Sequence, residues 1–172
     1  MEHFLWNILC CLFVVKIDVV AKNIISYLDS EISKPKEINI KKLGFIIQKH
    51  FDSIQEKNVC FFDDLELTSW ENWSYLQYLD KRKRICYNLS LGAKTPYWWT
   101  AYNQVKHERT SRCENKKINC RANLKNVISA MAALFILETL FIKRCNHGIE
   151  ISFTESNLFK MKLTLLFCKK CN

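Results

Sequence analysis

The sequence predicts an all-α fold: a bundle of about four main helices with an irregular C-terminal segment. Three observations lead there. The 172 residues hold three glycines and two prolines, where average usage gives about 12 and 9. Sandwiches, barrels and dinucleotide-binding folds need more tight turns than that supply allows. Apolar residues also recur at helical spacing over long stretches. Finally, Ala130 to Leu137 is apolar all round, the pattern of a helix in the middle of a bundle.

The elements follow in order. From Phe4 to about Ser33, Leu5, Leu9, Leu12, Val15, Val19, Ile24, Tyr27 and Leu28 mark one long helix, with Lys16, Asp18, Lys22 and Asp29 on its polar face. It stops at Ser33-Lys34-Pro35, because proline pushes the residue before it out of the α region. Lys42 to Phe51 forms a second helix with Leu43, Ile46, Ile47 and Phe51 on one face, and Ser53 to Asn58 is a loop. Cys60 to Asp80 reads as one or two short helices, and Lys81-Arg82-Lys83-Arg84 as a solvated surface or a phosphate-contacting edge. Thr95-Pro96 opens a third helix by capping rules, running to Arg109. After a polar connection from Ser111 to Asn119 comes the last main helix, Arg121 to Ile142. Beyond Cys145 the chain is irregular, with a strand at Ile149 to Phe153 and an apolar run at Leu163 to Phe167. The expected organisation is therefore a helical domain over 1–144 and a C-terminal extension, 145–172, packed on it.

Hydrophobic residues at 49% and charged residues at 25% are ordinary for a globular protein and exclude a disordered or collagen-like chain. The formal charge of +9 attracts polyanions. The apolar run Phe4 to Val15 is too short to span a membrane, and no Lys or Arg precedes it as in a signal peptide. The expectation is a cytoplasmic chain that makes no membrane contact, with its nine cysteines mostly small buried hydrophobes.

The chemistry concentrates between Lys106 and Lys125. Seven basic residues (Lys106, Arg109, Arg112, Lys116, Lys117, Arg121, Lys125) face two acids, Glu108 and Glu114, for a net +5. On the third helix Trp98, Tyr102 and Val105 form one stripe and Trp99, Asn103, Lys106 and His107 the next. An imidazole for proton transfer, an amide for positioning and nearby cations suit a phosphoryl group. Capping of the helix end is the other reading of His107.

The run Asn103-Gln104-Val105-Lys106-His107, followed by Ala122-Asn123-Leu124-Lys125-Asn126-Val127, resembles the HEPN domains (higher eukaryotes and prokaryotes nucleotide-binding). The string Trp98-Trp99-x-x-Tyr102-Asn103-x-x-Lys106-His107-x-Arg109 is similar to an uncharacterised bacterial subgroup of them. The resemblance covers Pro96 to about Ile142. It implies a small helical bundle that dimerises, and often a metal-independent RNase of toxin–antitoxin, abortive-infection or phage-defence systems. It makes His107 the catalytic histidine and Asn103 its polar companion, with Lys106 or Arg109 balancing phosphate charge. Arg112, Lys116, Lys117, Arg121 and Lys125 would contact RNA. The family's ribonucleases place Arg directly before the polar residue. Here Tyr102 stands there, and Tyr cannot replace a guanidinium. Two functions stay open: a metal-independent endoribonuclease, or a non-catalytic module that binds RNA or a cognate protein partner. Neither needs a cofactor or a metal.

Rival sites are weaker. Cys168-Lys169-Lys170-Cys171 with Cys145 and His147 supplies four zinc ligands in an unusual arrangement. Cys113 and Cys120 flank the basic loop as a candidate redox pair. Glu138 lies within an apolar helix and needs a partner if buried. Trp70, Trp73, Trp98 and Trp99 suit either core packing or base stacking. No phosphate-binding Gly-rich loop, nucleophile elbow or HExxH occurs.

Overall fold

The computed structural model describes residues 2–29, 38–62, 65–107, 123–145 and 159–161. Their order is α1 (Glu2–Leu28), α2 (Ile40–His50), a 3-10 turn (Ile54–Glu56), β1 (Val59–Phe61), β2 (Leu65–Leu67), β3 (Tyr75–Leu79), β4 (Ile85–Leu89), α3 (Tyr97–His107), α4 (Leu124–Cys145) and β5 (Phe159–Met161). The fold is mixed α/β, which overturns the all-α expectation. The four long helices are joined by a three-stranded antiparallel sheet, β2-β1-β5, and a separate β3–β4 hairpin.

The error has a physical cause. Scarce glycine does not exclude turns, because Ser53, Phe62, Asn72 and Lys83 adopt left-handed backbone at φ 61, 50, 57 and 57. Ser53, Asn72 and Lys83 are polar or basic and fill such positions at modest cost, while the bulky Phe62 does so at a greater one. The Cys60–Asp80 helices are therefore absent, and hairpins stand there. In β3–β4 the pairs run from Tyr75↔Leu89 through Gln77↔Tyr87 to Leu79↔Ile85. A bond from the Asp80 N–H to the Arg84 carbonyl at 2.9 Å closes a three-residue loop, Lys81-Arg82-Lys83, with the left-handed residue last.

Helix ends differ from expectation by a few residues. Asn39 caps α2, its side-chain oxygen accepting from the Lys42 N–H at 2.9 Å. Asn123 caps α4, accepting from the Asn126 N–H at 2.9 Å, so that helix starts after Arg121 rather than at it. The Pro96 carbonyl accepts the first bond of α3 from the Thr100 N–H at 3.0 Å. The expected strand at Ile149 to Phe153 lies outside the described residues.

The core is one continuous cluster. The inner face of α1 (Cys10, Val14, Ile17, Ala21, Ile24) packs on α4, where Ala130, Ala132, Ala133, Ile136 and Leu137 are fully buried. By length and composition α4 would suit a membrane, but its middle is enclosed by protein. β5 docks through Phe159, whose ring stacks on Phe135 of α4 at 5.7 Å and tilts against Phe61 of β1 at 5.4 Å.

Candidate nucleic-acid interface

Three tryptophans fix where α3 sits. Trp70 and Trp73 pack with centroids 4.5 Å apart, and Trp98 meets Trp70 edge-on at 5.2 Å. Two of their N–H groups go to backbone: Trp98 Nε1 donates to the Ser69 carbonyl at 2.8 Å, and Trp70 Nε1 to the Ala133 carbonyl at 3.1 Å. These bonds tie α3 to the 69–73 segment, and that segment to α4. All three rings are at most 2% exposed, so they are core and not a base-stacking platform.

With Trp98 and Ala101 facing inward, the rest of α3 turns outward. Trp99 is half-buried and lies 6.2 Å from Trp98 and 5.5 Å from Tyr102. Lys106 is exposed and reaches back over the preceding turn, its Nζ 5.8 Å from the Tyr102 ring centroid. An aromatic row thus ends in an ammonium group held over a π face, a favourable placement for a cation. Sequence spacing put Lys106 in the stripe of Trp99 and Asn103. Lys106 also stands four residues after Tyr102, and the structure takes that contact, because helical side chains lean toward the N-terminus.

Asn103 is half-buried on the same helix, and His107 is the last residue of α3. Lys125 is exposed in the first turn of α4. A cation there opposes the helix dipole, so its charge adds nothing to helix stability. Arg109, Arg112, Lys116, Lys117 and Arg121 lie outside the described residues, as do Cys113, Cys120, His147, Cys168 and Cys171. Asn103 and Lys106 are thus brought together on α3. Lys125 makes no described contact with either.

A second basic feature is better defined than the sequence implied. Lys81, Arg82, Lys83 and Arg84 form the exposed tip of the β3–β4 hairpin. Asp80 organises it, with Oδ1 accepting from the N–H groups of Arg82 and Arg84 at 2.9 and 2.8 Å. Arg84 closes on Asp80 Oδ2 through Nε at 2.8 Å and Nη2 at 2.7 Å, and these bonds hold the carboxyl below the usual range. The signal for this hairpin was two short runs rich in Tyr, Leu and Ile, Tyr75 to Leu79 and Ile85 to Leu89, either side of a polar turn. Apolar residues on both its faces hid that signal.

Among the described residues no group of three or more His, Cys, Asp or Glu could hold a metal ion. The Cys10 thiol is pushed up to about 11 by burial first and by Cys11 second, so it is inert at neutral pH. Glu138 is exposed, and needs no buried partner. It lines a groove of about 500 Å³ with Val20, Ile24, Tyr27, Phe141 and Ile142.

In comparison with known proteins, the chain matches no family model, no curated protein and no solved structure.

Proposed function

We propose that the protein binds RNA through the basic stretch from Lys106 to Lys125, as a non-catalytic module. The observation that carries this reading is the pairing of Lys106 with Tyr102. The position before Asn103, where a cutting enzyme of the resembled family needs a guanidinium, is filled by a ring packed against Trp99. That ring supports a cation on the surface, as a phosphate-binding face requires. Lys125 adds a second exposed cation at the other end of the stretch. The test is fluorescence anisotropy with labelled single-stranded RNA across a salt series. Salt-sensitive binding supports the reading, and none at low salt overturns it.

Endonuclease action is the second reading, favoured by Asn103 and His107 standing four residues apart on α3. In it His107 draws the proton from a ribose 2′-hydroxyl, and that oxygen attacks the adjacent phosphorus. The bond from phosphorus to the next nucleotide's 5′-oxygen breaks, that oxygen leaves as a hydroxyl with a proton from the second copy's motif, and a 2′,3′-cyclic phosphate remains. A place in bacterial or phage conflict belongs to this version. Incubation with total RNA in EDTA separates the two. Cleavage that His107→Ala abolishes selects the enzyme.

A homodimer is part of the proposal. The outer face of α1 supports it: Leu5, Ile8, Leu12, Val15 and Val19 alternate at three and four residues and are 39 to 60% exposed. That spacing is the seam of a helix pair.

A further inference from the structure

The β3–β4 hairpin is anchored at one end and free at the other. At its base Tyr75 is buried and its N–H donates to the Gln48 side-chain oxygen at 3.0 Å. Tyr87 packs on Phe45 of α2 with centroids 5.3 Å apart, and the Ser74 and Ser90 hydroxyls share a 2.6 Å hydrogen bond. Toward the tip this cover ends. Leu76, Tyr78, Leu79 and Ile85 are 56, 47, 64 and 57% exposed. Strand alternation places Leu79 and Ile85 on one face and Leu76 and Tyr78 on the other. Beyond them stand four cations, of which Arg84 is paired with Asp80. No ion pair joins Lys81, Arg82 or Lys83 to a carboxylate among the described residues. Asp80 and the left-handed Lys83 fix the turn that splays them.

We propose that this hairpin docks the protein on an anionic lipid surface, with Lys81, Arg82 and Lys83 at the phosphate level and Leu79, Ile85 and Tyr78 in the interface. The charge complements an acidic leaflet. Aliphatic groups on both faces decide against the other occupants. A protein partner lying on one face would leave the apolar groups of the other in water, and RNA phosphates gain nothing from Leu79 or Ile85. A bilayer interface surrounds a projecting element, and it favours tyrosine there. Long basic side chains reach the phosphates while their stems stay among apolar groups. The contact is peripheral, needs no spanning helix, and is independent of the RNA reading.

The test is flotation of the full chain, free of RNA, with vesicles of phosphatidylcholine alone or doped with phosphatidylserine. The protein should float with the doped vesicles at low salt and not with phosphatidylcholine alone. Lys81→Gln/Arg82→Gln/Lys83→Gln should lower partitioning by about 100-fold, roughly fivefold per cation. Leu79→Ser/Ile85→Ser, which keeps every charge, should lower it by about tenfold. Both variants change exposed residues, and each is compared with the parent by circular dichroism and by lipid-free RNA anisotropy. Three results would overturn the proposal: no flotation with anionic vesicles, full flotation of the serine variant, or loss of RNA binding instead of lipid binding in the glutamine variant.

Discussion

The Lys106 ammonium lies 5.8 Å from the centre of the Tyr102 ring, one helical turn before it. This contact joins the packing of α3 to its surface charge. Tyr102 is braced by Trp99, Trp99 touches Trp98, and Trp98 is locked to Trp70 and the Ser69 carbonyl. Disturbance of the buried end should therefore be felt at the exposed one.

The contact should show itself in a double-mutant cycle. Tyr102→Leu keeps apolar volume and removes the π face. Its coupling to Lys106→Gln should be about 0.5–1 kcal/mol in urea melts, the size of an exposed cation–π pair. Additive effects would mean that the two side chains do not interact.

The tryptophan cluster should dominate stability. Trp98→Ala removes a side chain 2% exposed and its bond to Ser69. The expected loss is about 3–5 kcal/mol. Trp70→Phe keeps most of the volume but leaves the buried Ala133 carbonyl without this donor. It should cost about 1–3 kcal/mol. Urea midpoints measure both.

Gly44 tests the seating of the hairpin on α2. A methyl group there would overlap the Tyr75 ring and approach Trp73 Cζ2 to 2.7 Å. Both rings are buried and cannot swing away. Gly44→Ala should destabilise by about 1–3 kcal/mol despite alanine's better helix propensity. A stabilised variant would show that the hairpin base is not held against α2.

His50 sets an acid limb. Burial first, then the charges of Arg144 and Lys49, hold its pKa below 6.5, while Asp29 at 4.0 Å pulls weakly the other way. The unfolded chain therefore takes up the proton first as pH falls through about 6.5. The contribution of His50 is present above that pH and lost below it. His50→Gln should flatten the fall in thermal stability between about pH 7 and pH 5.

The outer stripe of α1 predicts assembly. Light scattering should return about twice 20.4 kDa, and Leu12→Glu/Val15→Glu should halve it without loss of helix. A monomeric parent would remove the homodimer from the account.

The sequence made the helices legible because each buries one face at helical spacing: Leu43, Ile46 and Ile47 in α2, and Ala130 to Leu137 in α4. The capping asparagines moved the ends by a few residues. The strands were hidden for two reasons. Leu76 and Tyr78 are apolar yet exposed, which broke the polar–apolar alternation that marks a half-buried strand. Lys83 and Asn72 took the turn positions where glycine was looked for. At the site, Asn103 and Lys106 were legible as neighbours on one helix. Lys106 stands three residues from Asn103 and four from Tyr102, so spacing allowed both neighbours, and the lean of the side chain decided for Tyr102.

The most direct test of RNA binding is the salt dependence of anisotropy for labelled single-stranded RNA, with and without the cations of the basic stretch. Replacement of Lys106, Lys116, Lys117 and Lys125 by Gln should weaken binding for every RNA sequence. It should also lower the slope of log K against log salt by about 3, near 0.7 per lost phosphate contact. An unchanged slope in that variant, with helix content intact, would contradict the account.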